Sequence, residues 1–214
     1  MSALFHVMRP PSTPRAKAPL LVLLHGYGSN ESDLIGLSPY LDERLMMVSA
    51  RAPIPMGNGG NAWFPIDVGP EGISLQFEQA GESVGLIGEL VRGLQREHEP
   101  ERTILLGFSQ GGMMALSTAF SHPGLCDGVA ALSCVVVEPM LPAEDVRLDG
   151  LPVIMTHGTE DAIIPIAQGR ASRQLLQRLP LALDYREYEM GHEINQASLG
   201  DVDSWLTARI DAGD

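Results

Sequence analysis

The chain has 214 residues, of which 44% are hydrophobic and 19% are charged. This length and composition are typical of one globular domain with a full hydrophobic core, here expected over residues 1–214, and they exclude an intrinsically disordered protein. The net charge of −13 argues against nucleic acid and anionic membranes as partners, because phosphate groups would be repelled.

The N-terminal segment (residues 1–19) has no sustained hydrophobic stretch of the kind found in secretory signals. The longest apolar run without Gly or Pro, Leu20–Leu24, is far too short to span a bilayer. The lack of a secretory signal and the shortness of this run predict a cytoplasmic protein without stable membrane insertion.

The two cysteines, Cys126 and Cys134, are too few for a disulfide framework. Cys134 follows an apolar run and is expected to pack as a small hydrophobic residue rather than to serve in redox chemistry.

Apolar runs of strand length recur along the chain, and a turn-like segment at Pro10–Pro19 separates the first of them from the rest. The first run is short and is expected to form an edge strand. The predicted strands are, in chain order, Leu4–Met8, Leu20–His25, Leu45–Ala50, Arg102–Phe108, Gly128–Ser133, Pro152–Gly158 and Leu183–Glu189.

Helical patterns lie between these strands. A helix is predicted after the second strand at residues 31–43, and another at Met113–Phe120. Apolar residues at steps of three and four predict two more helices, one through Phe77, Ala80, Val84, Ile87, Val91 and Leu94, and one through Ala171, Leu175, Leu176 and Leu179. Continuous apolar strands that alternate with helices indicate a mostly parallel sheet with helices on both faces, which is the α/β class.

The segment "TILLGFSQGGMMAL" (residues 103–116) places Ser109 between an apolar strand and an apolar helix, in the spacing G-x-S-x-G. A strand that turns sharply into a helix forces the serine into strained torsions, and Gly107 and Gly111 give the turn room to close. Such a turn exposes the hydroxyl at the carboxyl edge of the sheet, beside a helix N-terminus that favours negative charge. Ser109 is therefore a candidate nucleophile; the alternative is a serine that only caps a core helix.

A nucleophilic serine of this kind needs an acid and a base, in the chain order Ser, Asp or Glu, His. Of the six histidines, only His192 follows both the serine and every late acidic candidate, and it lies in a loop after a predicted strand. Asp161 follows another predicted strand at the same sheet edge and is the favoured acid, with Glu160 and Asp184 as alternatives. His157 precedes the acid and is expected to have a structural role.

Acyl transfer also needs hydrogen-bond donors for the oxyanion. The backbone N–H of Gln110, directly after the serine, is the first candidate, and that of Tyr27 in "LLHGYGSNESD" (residues 23–33) is the second. One such donor contributes ~3 kcal/mol to transition-state stabilisation. The glycines beside Tyr27 are equally consistent with a turn that caps the following helix, and both roles are compatible.

These motifs together resemble the carboxylesterase/phospholipase branch of the α/β-hydrolases. The segments "LLHGYG", "AWFPID", "GFSQGGMMAL", "HGTEDAIIP" and "GHEI" stand in the order that this family uses, over residues 19–205. The resemblance implies an α/β-hydrolase fold, a Ser109–His192–Asp161 triad, Tyr27 and Gln110 as oxyanion donors, and no cofactor. The chain has Tyr27-Gly28-Ser29-Asn30 where the family's acyl-protein thioesterases carry Leu-Gly-Asp, so it is more similar to small bacterial carboxylesterases.

The segment 51–78 is too long and too rich in turns for a simple connection. We expect it to cover the site and to line an acyl pocket with Trp63 and Phe64; the alternative is that these aromatic residues only seal the sheet edge. Ile163 and Ile164 are candidates for further apolar walls of that pocket.

The resulting hypothesis is a carboxylesterase for uncharged esters with short-to-medium acyl chains, a small-molecule substrate class. An acyl-protein or lysophospholipid thioesterase-type activity and a non-catalytic ligand-binding relative stay as alternatives, and a homodimer stays open. A dienelactone hydrolase would carry cysteine at position 109, and the chain has no G-x-x-x-x-G-K-[ST] segment for nucleotide phosphates and no CxxC or HExxH spacing for a metal.

Overall fold

The structure is a computed structural model that describes residues 4–13, 16–57, 59–69, 72–75, 77–143 and 145–212. Its strands are β1 (His6–Arg9), β2 (Leu20–Leu24), β3 (Met46–Ala50), β4 (Ile54–Pro55), β5 (Asn61–Ala62), β6 (Ile66–Gly69), β7 (Gly72–Leu75), β8 (Thr103–Phe108), β9 (Gly128–Leu132), β10 (Leu151–Gly158) and β11 (Leu181–Tyr188). Its α-helices are α1 (Phe77–His98), α2 (Gln110–Ser121), α3 (Ile166–Leu176) and α4 (Gln196–Asp211).

Seven of the strands form one sheet in the order β1-β3-β2-β8-β9-β10-β11. Every neighbouring pair is parallel except β1 and β3, which are antiparallel. The seven strands predicted from the sequence are these seven, with ends that differ by one or two residues. The predicted α/β class, with a mostly parallel sheet, is confirmed.

The central strands β2 and β9 contain no polar residue, because both faces of the sheet are covered. In β2 the side chains of Leu20, Val22 and Leu24 pack into one core cluster, which includes residues of α1 and α2. Leu21 and Leu23, on the other face, pack with residues of α4. The period of two in the strand thus divides one apolar run between two hydrophobic cores.

Three helical segments differ from the sequence expectation. The helix predicted at residues 31–43 is a 3-10 helix at Leu34–Tyr40 that contains Pro39, a residue with no N–H to donate to an α-helical ladder. Helix α3 ends at Leu176, so Leu179 lies beyond it. Helix α4 was not predicted from the sequence, although its apolar residues Leu199, Val202, Leu206 and Ile210 recur at steps of three and four; a capping box at Asn195 fixes its start.

The predicted covering segment at residues 51–78 folds locally into two small hairpins. Strand β4 pairs with β5, and β6 pairs with β7, all antiparallel. Residues 58, 70, 71 and 76 of this segment lie outside the described residues. The first hairpin also meets the loop after β2, through an isolated bridge between Ser29 and Asn61. This contact joins the segment to the loop that carries Tyr27.

Both cysteines lie in the core, as expected for Cys134. Burial raises the pKa of the Cys126 and Cys134 thiols to about 12, so neither forms a thiolate near neutral pH. Among the described residues, no helix has the length and the apolar character needed to cross a membrane.

Candidate active site

Ser109 lies at the sharp turn between β8 and α2, with φ 53° and ψ −119°. The turn closes only because the residues two positions before and two positions after the serine are glycines. A Cβ on Gly107 would lie 2.1 Å from the Gly111 carbonyl oxygen, and one on Gly111 would lie 1.9 Å from the Leu24 carbonyl oxygen. The Ser109 N–H donates to the Leu132 carbonyl at 2.8 Å, which ties the turn to the end of β9. The serine is therefore held in a strained conformation by backbone packing on both sides.

His192 lies between Ser109 and Asp161. Its Nδ1 is 2.7 Å from Asp161 Oδ2, and its Nε2 is 3.0 Å from Ser109 Oγ. The Asp161 side chain is fully buried, whereas 17% of the His192 side chain is exposed. The three residues follow β8, β10 and β11, whose carboxyl ends lie at one edge of the parallel sheet.

Backbone hydrogen bonds fix the orientation of the Asp161 carboxylate. Its Oδ1 accepts from the N–H groups of Ile163 at 2.9 Å and Ile164 at 2.7 Å, which leaves Oδ2 for His192. His157 donates from Nε2 to the Ile164 carbonyl at 2.7 Å and so supports the same turn. Of the acidic alternatives, Glu160 is exposed and Asp184 pairs with an arginine of its own strand.

Gly158 brings the loop of Asp161 against the loop of His192. A Cβ at this position would lie 2.2 Å from the Met190 carbonyl oxygen and 2.4 Å from that of Gly191. Sequence reasoning missed Gly158, although a glycine at the last residue of a predicted strand, just before the favoured acid, was a usable signal. Any side chain here must move one loop away from the other.

We expect Gly158→Ala to lower kcat/KM for an ester by about 100-fold, because a displacement of about 1 Å between the acid and the base misplaces both. Gly191→Ala is the matched control, since a Cβ there meets no atom within 4 Å. It should change kcat/KM only slightly. Equal activity of the two variants would contradict the close approach of these loops.

Two backbone N–H groups belong to residues next to the site: Gln110 follows Ser109 directly, and Tyr27 follows Gly26. A Cβ on Gly26 would lie 3.6 Å from Ser109 Cβ, so the loop after β2 packs directly on the serine. The N–H groups of Tyr27 and Gln110 donate to no acceptor among the described residues. Gln110 is the first residue of α2, where N–H groups have no partner within the helix and favour negative charge.

Comparison with known proteins identifies the family. The family model described as Phospholipase/Carboxylesterase matches residues 8–210. The chain belongs to the phospholipase/carboxylesterase family. It is 30% identical over 168 residues to acyl-protein thioesterase 1 of Gibberella zeae, which covers 73% of this chain and 72% of that protein. It is also 30% identical over 204 residues to esterase YpfH of Escherichia coli, covering 90% of this chain and 83% of that protein.

The solved structure of an esterase has the same fold as this member of the phospholipase/carboxylesterase family. The crystal structure of esterase PE8 matches with a TM-score of 0.82 at 28% identity, over 96% of this chain and 98% of that one. The fold is therefore the α/β-hydrolase fold that the sequence motifs imply. The activity of the family is of the esterase or thioesterase type.

An open groove of about 290 Å³ begins at the exposed side of His192. Its apolar lining is formed by side chains of Leu34, Leu37, Phe108 and Ile194. Asp33 and Glu193 line it too, and both are exposed to solvent. Sequence reasoning did not single out these six residues, because they come from three separate segments that only the fold brings together.

The predicted pocket residues fall into two groups. Trp63 and Phe64 are 0% and 1% exposed, so they offer almost no surface to a ligand, and their burial favours the alternative in which they seal the sheet edge. Ile163 is 61% exposed and Ile164 is half-buried, both in the turn that holds Asp161. Ile163 and Ile164 therefore keep surface available beside the site, whereas Trp63 and Phe64 do not.

Proposed function

We propose that the protein is a serine carboxylesterase that cleaves short-to-medium acyl esters, and that residues 1–214 form one catalytic domain. The observation that carries this function is the continuous hydrogen-bond chain from Ser109 Oγ through His192 to Asp161, at 3.0 Å and 2.7 Å. A non-catalytic relative would have no need for this chain or for the strained serine.

In the proposed cycle, His192 Nδ1–H donates to the Asp161 carboxylate, so the Nε2 lone pair faces the serine hydroxyl. Nε2 takes the Ser109 proton as Oγ attacks the acyl carbonyl, and Asp161 stabilises the imidazolium that forms. The same proton passes to the leaving alcohol as the tetrahedral intermediate collapses to an acyl-enzyme. His192 then deprotonates a water molecule, which attacks the acyl carbon; the Ser109 Oγ–acyl bond breaks, Oγ takes the proton back from His192, and the acid is released.

The negative charge that develops on the carbonyl oxygen needs donors already in place. The N–H groups of Tyr27 and Gln110, which have no acceptor in the part of the chain that the structure describes, are our candidates for this role. Donors of this kind stabilise the transition state more than the ground state, because the oxygen becomes charged only as the serine adds.

The groove at His192 suggests what kind of substrate the site accepts. Its apolar floor of Leu34, Leu37 and Phe108 suits a hydrocarbon part of the ester. Asp33 and Glu193 at its rim would repel a substrate that carries a carboxylate or phosphate there. We therefore expect uncharged esters to be preferred over anionic ones. Ile163 and Ile164 are candidates for additional apolar contact.

A thioesterase activity is the second candidate, because the relative from Gibberella zeae is named as an acyl-protein thioesterase. The two activities share every step of the cycle, since an oxygen ester and a thioester differ only in the leaving group. The family relationship is equally consistent with both, so the ratio of their rates has to be measured.

Purified protein should hydrolyse p-nitrophenyl acetate, butyrate and octanoate, and should be labelled at Ser109 by a fluorophosphonate probe, with the site located by mass spectrometry. Thioesters of the same acyl groups, and an ester with a carboxylate in its leaving group, complete the series. Faster turnover of the thioesters would favour the second candidate. If correctly folded protein shows no turnover and no labelling, the proposal of a serine hydrolase is wrong.

A further inference from the structure

The orientation of the Tyr27 N–H depends on the side chain of His25. The Gly26 carbonyl and the Tyr27 N–H belong to one planar peptide unit, so a bond to the carbonyl fixes the direction of the N–H. His25 Nδ1 lies 2.8 Å from the Gly26 carbonyl oxygen. Rotation of this peptide would break that hydrogen bond inside the protein, since His25 is fully buried, together with the 3.2 Å bond that the same carbonyl accepts from the Ser29 N–H.

The protonation of His25 suits this role. Its Nε2 accepts from the Ala52 N–H at 3.1 Å, so the ring hydrogen is on Nδ1 and is donated to the Gly26 carbonyl. Burial lowers the pKa of His25, so the neutral ring with this hydrogen placement is favoured at neutral pH.

Trp63 connects the loop after β2, which carries the Tyr27 N–H, to helix α2, which carries the Gln110 N–H. Its indole Nε1–H donates to the His25 carbonyl at 2.9 Å. Its backbone N–H donates to Gln110 Oε1 at 2.8 Å, and Gln110 Nε2 donates to the Phe64 carbonyl at 2.7 Å. The side chain of Gln110 thus holds residues 63 and 64, while its backbone N–H, next to Ser109, bonds no acceptor within the described ranges.

We infer that the side chains of His25, Trp63 and Gln110 form a brace that sets the position of the Tyr27 N–H relative to the Gln110 N–H. This inference rests on the proposed function, in which those N–H groups bind the oxyanion. The loop after β2 and the first turn of α2 are separate segments, and the brace joins them by hydrogen bonds at both ends. His25 and Trp63 are positioning residues, and so is Gln110 through its side chain, because none of these groups needs to touch the substrate.

The test is Trp63→Phe, which removes the indole N–H and keeps an aromatic ring in the core. With p-nitrophenyl butyrate we expect kcat to fall about 10- to 100-fold, because the Tyr27 N–H is no longer held in a fixed position relative to the Gln110 N–H. KM should stay within about twofold, since ground-state binding does not depend on the oxyanion. The inhibition constant of a trifluoromethyl ketone, which forms a tetrahedral oxyanion on Ser109, should rise by the same factor as kcat/KM falls.

Two further variants keep the test decisive. Trp205→Phe is the matched control: the other tryptophan packs in the second core cluster, so this variant measures loss of packing without loss of the brace. Gln110→Met keeps the side-chain length and removes both bonds to residues 63 and 64; it should reproduce the Trp63→Phe effect if that variant does not fold.

The inference is wrong if Trp63→Phe and Gln110→Met keep the wild-type kcat. It is also wrong if the Trp205→Phe control loses as much kcat, or if the inhibition constant does not change with kcat/KM. A wild-type protein that turns over no ester and takes no fluorophosphonate would instead overturn the proposed function, and the brace with it.

Discussion

Ser109→Ala is expected to lower kcat for p-nitrophenyl butyrate by at least about 10⁴-fold, because no other group replaces the nucleophile. The midpoint of thermal unfolding should hardly change. Among the residues that the structure describes, the hydroxyl has one hydrogen-bond partner, the partly exposed His192. Alanine at φ 53° carries the same Cβ as serine and so adds no backbone strain.

Ser133→Ala provides a matched control for this experiment. Ser133 is a buried serine directly after the parallel strand β9, and its φ of 47° lies in the same left-handed region as that of Ser109. Its hydroxyl donates a long hydrogen bond of 3.5 Å to the Glu193 carbonyl. Activity should persist in Ser133→Ala; substantial turnover by Ser109→Ala would remove the serine from its proposed role.

Asp161→Asn is the second change with a large expected effect, a loss of about 10⁴-fold in kcat. Because Oδ1 accepts from two backbone N–H groups, of Ile163 and Ile164, the asparagine must place its oxygen there. Its NH₂ then faces His192 Nδ1, which has to become an acceptor. The imidazole hydrogen moves to Nε2, and the ring can no longer take the Ser109 proton.

Glu160→Gln and Asp184→Asn are the controls for charge removal near the site. Both were acidic alternatives on sequence grounds, and neither carboxylate bonds His192. Each should keep kcat/KM near the wild-type value, measured with the same ester. A loss in either variant as large as in Asp161→Asn would contradict the assignment of Asp161 as the residue that orients the base.

The elements of the central sheet could be predicted because their signals are local. A strand buried on both faces is largely apolar along its length, as in β2 and β9. The turn at Ser109 has a local signal as well, since the small residues that it requires lie within two positions of the serine. Helix α4 has a local signal too, with Leu199, Val202, Leu206 and Ile210 at steps of three and four, which sequence reasoning overlooked.

The order of the candidate triad along the chain was also available from the sequence, because parallel strands deliver the loops that follow them to one sheet edge. That rule predicted that Ser109 and His192, 83 residues apart, would lie close together. It does not give distances, and it did not exclude Glu160 or Asp184. The choice among the three carboxylates depends on how the turn after β10 packs against the loop after β11, which is where Gly158 meets the Met190 carbonyl.

By itself, the sequence determined the α/β class, the serine turn and the candidate triad, because apolar periodicity, short-range glycine spacing and chain order are properties of the sequence. Only the tertiary structure decided what Trp63 and the Gln110 side chain do. Trp63 contacts His25 across 38 residues and Gln110 across 47, through hydrogen bonds between loops. Nothing in local periodicity specifies such pairs, since they form only after the core has fixed where each loop crosses the sheet edge.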